Sequence, residues 1–501
     1  MIRKVKTENG WVRGLPAADP RITSYKGIPF AAPPVGENRW RAPQPCKDWE
    51  GEYPAFDFGP IPMQAITGYD KTNIYTREWA VDVTLPMSED CLYLNVWAPA
   101  DEDVSGLPVY VWYFGGGLQV GNTAEMEFDG ERLARRGVVV VTVGYRVNSF
   151  GFLCHPEITA EAPDACCNFG FLDQQFATRW VKRNIAAFGG DPENITIGGQ
   201  SAGGMSVGAQ IGNPENRGLF RRAIIESGLF AKAYPGQLGL DGSLESLEER
   251  GKRFFDYLGV KTLAEARAID GKTLLEKTLA WNEGMWFAAV DGKFIHYGGN
   301  DWYRVPERVI CPVLMGCTNN EFYSQPAATD EESLAAFARE QYGDKAQAFL
   351  DCFTHPATGE SIRREGRLST IDFAIRLAER HIAGAAPIWH YEFSADIPGW
   401  DDPGAFHSVD LWFFFETLAK CWRPFVGRHY DLARQMCDYW ANFIKTGDPN
   451  GIGSDLQPLP YWPPFSAELP VRMSFGQRAA LEHSPTTPLQ QLLMDHVESQ
   501  K

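Results

Sequence analysis

The stretch Ile197-Gly198-Gly199-Gln200-Ser201-Ala202-Gly203-Gly204 decides how the rest of this chain is interpreted. It contains a Gly-x-Ser-x-Gly pattern centred on Ser201, between a β-branched segment at 194–197 and a small-residue segment at 202–207. The first segment favours a strand and the second a helix. Glycines flank the serine because a Cβ would clash in so tight a turn. The stretch therefore predicts a nucleophile elbow that exposes the Ser201 hydroxyl, and an ordinary glycine–serine turn is the alternative.

A second glycine cluster, Gly115-Gly116-Gly117, follows the apolar segment 107–114, which predicts a strand. Glycines at the carboxyl end of a strand leave backbone N–H groups open to close approach by a ligand. A phosphate-binding loop would place a lysine after the glycines, and none follows here. The cluster therefore favours an oxyanion hole, which precedes the nucleophile in sequence, with a plain tight turn as the alternative.

Strand-like and helical segments alternate through much of the chain. The apolar run 138–143 is typical of a strand buried on both faces of a parallel sheet. A helix is predicted over 171–188, because Leu172, Phe176 and Trp180 share one face at helical spacing. This alternation predicts an α/β fold with a mostly parallel central sheet and helices on both faces.

We interpret residues 1–501 as a single domain with two large helical insertions, 230–300 and 326–385, which form a cap around the active site. Both segments are rich in helix-forming and charged residues. The first also carries apolar side chains at helix-like intervals, which indicate either a pocket wall or a helix-packing stripe: Trp281, Met285, Trp286 and Phe287.

Composition and charge narrow the classes of partner. The chain has 44% hydrophobic residues and a net charge of -17, which argues against binding to nucleic acid or an anionic membrane. The basic start at 1–6 is not followed by the apolar region of a secretory signal. Ten cysteines lack metal-ligand spacing and are expected to be reduced, buried thiols. We therefore expect no metal, no cofactor, and a small molecule as the only substrate.

A serine hydroxyl needs a base to remove its proton and a carboxylate to orient that base. In the chain order typical of α/β-hydrolases the acid follows the serine and the histidine comes last, each on a loop after a strand. Glu321 and His407 meet both conditions among the acids and the nine histidines. His390 lies inside a predicted strand, and a surface histidine is the alternative interpretation of His407.

Further motifs lie in register along residues 5 to about 450. They include Tyr25-Lys26-Gly27-Ile28-Pro29-Phe30-Ala31, Ser88-Glu89-Asp90-Cys91-Leu92, Phe188-Gly189-Gly190-Asp191-Pro192 and Thr446-Gly447-Asp448-Pro449-Asn450. Together with the Ser201 stretch, these motifs resemble the type-B carboxylesterase family, which includes para-nitrobenzyl esterases, animal carboxylesterases and cholinesterases. The resemblance implies an α/β-hydrolase fold and hydrolysis of carboxylic esters.

The resemblance also implies the roles of single residues. Ser201 matches the nucleophile, Glu321 the triad acid and His407 the base that later acts as acid. Backbone amides at three positions match those that bind the oxyanion: Gly116, Gly117 and Ala202. A serine carboxylesterase that acts on uncharged aryl or short-chain alkyl esters through an acyl-enzyme is thus the leading interpretation. An amidase, lactonase or feruloyl-type esterase on the same triad, or a non-catalytic cholinesterase-like binding module, are the alternatives.

Several positions depart from the family pattern. Gln200 stands where a glutamate is common beside the serine, and no tryptophan occupies the choline-site spacing ahead of Cys91, so choline esters are disfavoured. Phe322 replaces the usual glycine after the acid. Cys91 lacks the upstream cysteine of secreted members, which, with no visible signal, favours a cytoplasmic enzyme. The run 412–415 either narrows the acyl pocket or packs in the core, and the oligomeric state stays open.

Overall fold

One sheet of eleven strands organises the chain. A computed structural model describes residues 1–66, 73–79, 84–234, 241–298 and 301–500. In spatial order the strands of this sheet are Ala479–His483, Val471–Phe475, Ile388–Phe393, Val313–Thr318, Arg222–Glu226, Gly190–Gln200, Leu107–Tyr113, Val139–Val143, Tyr93–Pro99, Ile22–Pro29 and Leu15–Pro16.

The middle of the sheet is parallel. All pairs between Val471–Phe475 and Val139–Val143 are parallel, and the outer strands at both edges pair antiparallel. Side chains of Val139–Val143 alternate between two hydrophobic clusters, one on each face of the sheet. This double burial explains the continuous apolar run and confirms the predicted α/β fold.

Sixteen α-helices lie within the described residues. They are Ile74–Glu78, Glu131–Arg135, Asn148–Phe152, Pro156–Glu161, Phe169–Asn184, Ala202–Gly212, Leu244–Leu258, Leu263–Arg267, Gly271–Ala280, Glu331–Tyr342, Ala346–Leu350, Gly359–Gly366, Thr370–Ile382, Leu411–Phe414, Gly427–Thr446 and Pro488–Ser499. None of the helices in the described part of the chain has the length and apolar character to span a bilayer. The helix predicted over 171–188 is observed at Phe169–Asn184, and a short 3-10 helix, Ile185–Phe188, follows it.

Small sheets accompany the main one. Lys4–Thr7, Gly10–Arg13 and Glu52–Pro54 form a three-stranded sheet near the amino terminus. Two further strand pairs lie outside the main sheet: Asp241–Ser243 with Ala288–Val290, and Tyr323–Ser324 with Leu368–Ser369.

The helix-like spacing in segment 281–287 was misleading. The preceding helix ends at Ala280, Trp281 is extended, and Gly284 has a φ of 87°. Carbonyl groups of Gly284 and Met285 accept hydrogen bonds from Arg250 instead of from a helical backbone. The apolar side chains of this segment thus belong to an irregular loop, while residues 235–240 and 299–300 of the same predicted insertion lie outside the described residues.

A buried ion pair holds the turn after Val139–Val143 to the helix Phe169–Asn184. Asp173 accepts hydrogen bonds from the backbone and guanidinium of Arg146 at 2.6–3.0 Å, and neither side chain is more than 3% exposed. Removing one partner leaves an uncompensated buried charge, so we expect Asp173→Ala to lower the free energy of unfolding by about 3–5 kcal/mol. Urea unfolding measures this loss.

The exposed pair of Arg253 and Glu283, at 2.8 Å, provides the matched control. Glu283→Ala should change stability by about 1 kcal/mol or less, because water and salt screen exposed charges. Equal losses in the two variants would contradict a special role for the buried pair.

Candidate active site

The strand Gly190–Gln200 turns directly into the helix Ala202–Gly212 at Ser201. Ser201 adopts φ 56° and ψ -125°, a strained conformation for a residue with a Cβ. Its backbone N–H donates to the carbonyl of Glu226 on the neighbouring strand at 2.9 Å. The serine therefore sits on a sharp, fixed turn at the carboxyl end of a central strand, as the elbow prediction requires.

The flanking glycines are required by contact, as the sequence pattern implied. A Cβ at Gly199 would lie 2.4 Å from the backbone of Gly203, and a Cβ at Gly203 would lie 2.0 Å from the carbonyl oxygen of Tyr113. Both distances are far inside van der Waals contact, so any larger residue would push the two elements apart.

The glycine cluster passes beside the serine. A Cβ built on Gly115 would lie 3.1 Å from the Cβ of Ser201. Gly116 and Gly117 have φ values of 112° and 63°, which L-residues with side chains rarely adopt. Their backbone N–H groups donate no hydrogen bond to any other described residue. They are therefore free to bind a ligand next to the serine.

Ala202 has a third backbone amide next to Ser201. It is the first residue of the helix Ala202–Gly212, and the first N–H groups of a helix have no intrahelical acceptor. The helix dipole also places partial positive charge at this end. An anion that forms at Ser201 would thus meet a helix terminus and the amides of the glycine cluster together.

Glu321 and His407 meet in the structure although they are far apart in sequence. Nδ1 of His407 is hydrogen-bonded to Oε2 of Glu321. The other carboxylate oxygen, Oε1, accepts hydrogen bonds from the Ser227 hydroxyl at 2.6 Å and the Thr318 N–H at 2.9 Å. Both catalytic candidates are almost completely buried. The carboxylate is thus held from two sides and fixes the histidine ring.

The second ring nitrogen of His407 faces Gln200. Nε2 of His407 lies 3.3 Å from Nε2 of the Gln200 amide. Within the part of the chain that the structure describes, no hydrogen bond joins the Ser201 hydroxyl to His407, although Ser201 follows Gln200 directly. Hydrogen bonds of catalytic groups are often long without substrate and shorten when it binds. In the structure the acid and the base are thus hydrogen-bonded to each other, and Ser201 is the residue after Gln200, which contacts the base.

Aromatic rings surround the base. The ring of Phe322 lies edge-on to His407 with 4.7 Å between centroids, and Phe322 itself has a φ of 41°. The family glycine at this position would adopt that backbone without strain. Phe406, the residue before His407, forms a second aromatic group with Tyr75 and Trp79, with centroids 5.8–6.4 Å apart. One aromatic ring therefore packs directly against the base, and a second aromatic group begins at the residue before it.

Two further acids lie close to the Glu321–His407 pair. Asp410 accepts a hydrogen bond from the Tyr391 hydroxyl at 2.9 Å, and Glu226 accepts one from the Trp440 indole at 2.6 Å. Both carboxyl groups are fully buried. Burial, with the charge of Glu321 adding, raises the pKa of Asp410 to about 7. Burial and the neighbouring Asp410 raise the pKa of Glu226 well above its usual value.

Sequence reasoning missed several of these groups. Ser227 follows the strand Arg222–Glu226, which neighbours the serine strand, and this adjacency was the signal that could have identified it. Asp410 lies three residues after His407, directly before the helix Leu411–Phe414. The run 412–415, in contrast, is fully buried and packs in the hydrophobic core.

A serine on a strained elbow, bare glycine amides and a buried acid–histidine pair lie together at the carboxyl ends of parallel strands. This fold and site define the class of α/β-hydrolases.

Within that class, the chain belongs to the carboxylesterase family and is a carboxylic ester hydrolase of type B. The model of the carboxylesterase family matches residues 2–367 and 366–491. The chain is 31% identical to a para-nitrobenzyl esterase of Bacillus subtilis (strain 168), which it matches over 98% of both chains. It is 30% identical to a fumonisin B1 esterase of Sphingopyxis macrogoltabida, over 94% of this chain and 86% of that protein.

Solved structures give the same result. A para-nitrobenzyl esterase structure matches with a TM-score of 0.78 and 28% identity, over 98% of this chain and 99% of that chain. A carboxylesterase of Geobacillus stearothermophilus matches with a TM-score of 0.76 and 30% identity, over 98% and 100%. The predicted family and fold are therefore confirmed.

Proposed function

We propose that this protein is a serine carboxylesterase that hydrolyses uncharged aryl or short-chain alkyl esters through an acyl-enzyme. The hydrogen bond between the buried Glu321 and His407, beside the Ser201 elbow, is the observation that carries the proposal. A carboxylate at Nδ1 holds the proton on that nitrogen, so Nε2 keeps a lone pair for the serine proton.

The residues supply each step of an acyl transfer. Ser201 attacks the ester carbonyl while His407 accepts its proton at Nε2 and then delivers it to the leaving alcohol. The N–H groups of Gly116, Gly117 and Ala202 bind the oxygen that becomes negative. Water then attacks the acyl-Ser201 ester, with His407 as base again, and releases the acid.

The proposed substrate class rests on the neutral amide and the aromatic side chains near Ser201 and His407. Gln200 places a neutral amide beside the nucleophile, the ring of Phe322 packs against the base, and Phe406 next to the base in sequence contacts Tyr75. Apolar walls with few polar groups suit small uncharged esters. The names of two relatives, para-nitrobenzyl esterase and cocaine esterase, also indicate aryl-containing esters as substrates of those proteins.

We propose in addition that the chain forms one domain in which the helical parts of 230–300 and 326–385 cap the site. The hydrogen bonds between Gln119 and the backbone of Trp286 support this arrangement, because they join the loop after the glycine cluster to the first insertion. All ten cysteines are free thiols, which suits the cytoplasmic location that we propose.

Release of p-nitrophenol from acetate, butyrate and octanoate esters tests the proposal. We expect turnover of the short esters and labelling of Ser201 by a fluorophosphonate, which peptide mass spectrometry locates. The dependence on chain length measures the acyl pocket. A folded protein that neither turns over these esters nor takes up the label at Ser201 would contradict the proposal.

The oxyanion role of the glycine cluster gives a separate prediction. A Cβ on Gly116 would lie 2.1 Å from the carbonyl oxygen of Val120, and its φ of 112° disfavours alanine. Gly116→Ala should therefore displace the loop amides and lower kcat by roughly 10²–10³-fold, the usual cost of one oxyanion donor. Steady-state kinetics with p-nitrophenyl butyrate measure the loss.

Gly106→Ala is the matched control, because Gly106 also has a positive φ, 69°, but open space around its Cα. It should retain the activity of the unmodified enzyme. Similar losses in both variants would point to general strain rather than to the oxyanion site.

A further inference from the structure

The Gln200 side chain lies between the base and the glycine cluster. It is 2% exposed, and its Nε2 lies 3.3 Å from Nε2 of His407. Its Oε1 lies 3.1 Å from the position of a Cβ on Gly115. The amide is thus packed with its nitrogen towards the imidazole and its oxygen towards the glycine backbone.

This orientation affects the two protonation states of His407 in opposite ways. Glu321 accepts a hydrogen bond from Nδ1–H of His407, so Nε2 of the neutral ring is an acceptor and the Gln200 N–H can donate to it. Once the Ser201 proton moves to Nε2, an N–H of the imidazolium faces an N–H of the amide. A hydrogen bond to the neutral form disfavours the charged form.

We propose that Gln200 is a positioning residue that keeps His407 in its neutral, proton-accepting form, which extends ester hydrolysis to lower pH. The inference rests on the proposed role of His407 as the base. During acylation the Ser201 proton passes to Nε2 of His407 and then to the leaving oxygen, so the hydrogen bond from Gln200 is absent while the imidazolium exists. A carboxylate at position 200 would instead stabilise the imidazolium through a charge-assisted hydrogen bond, so solvent would protonate the base, and stop it from accepting the serine proton, at a higher pH.

Other titratable groups also face His407 and Glu321. Asp410 lies in the same turn as His407 and has a pKa of about 7 because it is buried, and burial and the charge of Asp410 raise the pKa of Glu226. Tyr75 approaches from the helix Ile74–Glu78, where burial first and then the charge of Glu321 raise its pKa. These groups are the same in every variant at position 200. The difference between a variant and the unmodified enzyme therefore reports Gln200 alone.

The test is the acid limb of the pH dependence of kcat/KM for p-nitrophenyl butyrate. We expect Gln200→Glu to move the midpoint of this limb upward by about 1–3 pH units, the usual effect of an opposite charge in contact with an ionisable group. Gln200→Met removes only the hydrogen bond to the neutral ring and should move the midpoint upward by less, about 0.5 unit. The midpoints should therefore rise from the unmodified enzyme to Gln200→Met to Gln200→Glu.

Gln457→Glu controls for the change in net charge, because Gln457 lies on the exposed loop after the helix Gly427–Thr446. Its acid limb should coincide with that of the unmodified enzyme. An unmoved acid limb in Gln200→Glu, or an equal shift in Gln457→Glu, overturns the proposal.

If Gln200→Glu does not fold, Gln200→Met decides: an upward shift supports the role of Gln200, and an unchanged or lowered midpoint contradicts it. Failure of the two proposals can be told apart. An unmodified enzyme that hydrolyses no ester contradicts the proposed function, whereas an active enzyme without these shifts contradicts only the role of Gln200.

Discussion

Ser201→Ala is expected to lower kcat for p-nitrophenyl butyrate by roughly 10⁶-fold, the order of loss seen when a hydrolase loses its nucleophilic serine. Without Oγ no acyl-enzyme forms, and only the oxyanion amides and substrate binding remain to act on a water molecule. The burst of p-nitrophenol and the fluorophosphonate label should both disappear. Stopped-flow absorbance and intact-protein mass spectrometry measure the two effects.

The fold should survive this change. Alanine has a Cβ like serine, so it adopts the strained backbone of Ser201 at the same cost, and the melting temperature should change little. Ser206→Ala is the matched control on the same helix, where the Ser206 hydroxyl donates to the Ala202 carbonyl and accepts from Gln174. It should cost about 1 kcal/mol of stability and leave turnover intact. Turnover by Ser201→Ala close to that of the unmodified enzyme would refute the proposed mechanism.

The elbow and the central sheet could be predicted from the sequence because both depend on residues that are close together in the chain. Gly199 and Gly203 indicate a turn too sharp for side chains, and the apolar run 138–143 indicates a strand that is buried on both faces. Chain order and loop position also selected Glu321 and His407. These interpretations required no knowledge of which side chains meet across the fold.

Contacts across the fold are what the sequence leaves open. Nothing in the local sequence marks Ser227, which contacts Glu321 only because of strand pairing. The same holds for Gln200, which contacts His407 from a distant loop. Segment 281–287 shows the reverse case. Its spacing favoured a helix, but hydrogen bonds to Arg250 and Gln119 from other elements stabilise an irregular loop.

The two carboxylate oxygens of Glu321 accept hydrogen bonds from different partners. Oε1 accepts from the Ser227 hydroxyl and the Thr318 N–H, and Oε2 meets Nδ1 of His407. In a glutamine at this position, the two donors would keep the amide oxygen on their side. The amide nitrogen would then face Nδ1 of His407 and donate to it, which forces the proton of the neutral ring onto Nε2.

Glu321→Gln is therefore expected to lower kcat by roughly 10⁴-fold, as when the carboxylate of a catalytic triad becomes an amide and leaves the histidine in the wrong tautomer. Kinetics with p-nitrophenyl butyrate measure the loss, and thermal unfolding checks that the buried amide is tolerated. Glu321→Asp is the conservative control, because it restores a carboxylate on a shorter side chain and should recover part of the lost rate. Full activity in Glu321→Gln would show that the carboxylate does not orient His407, and would leave the buried hydrogen bond between them a structural one.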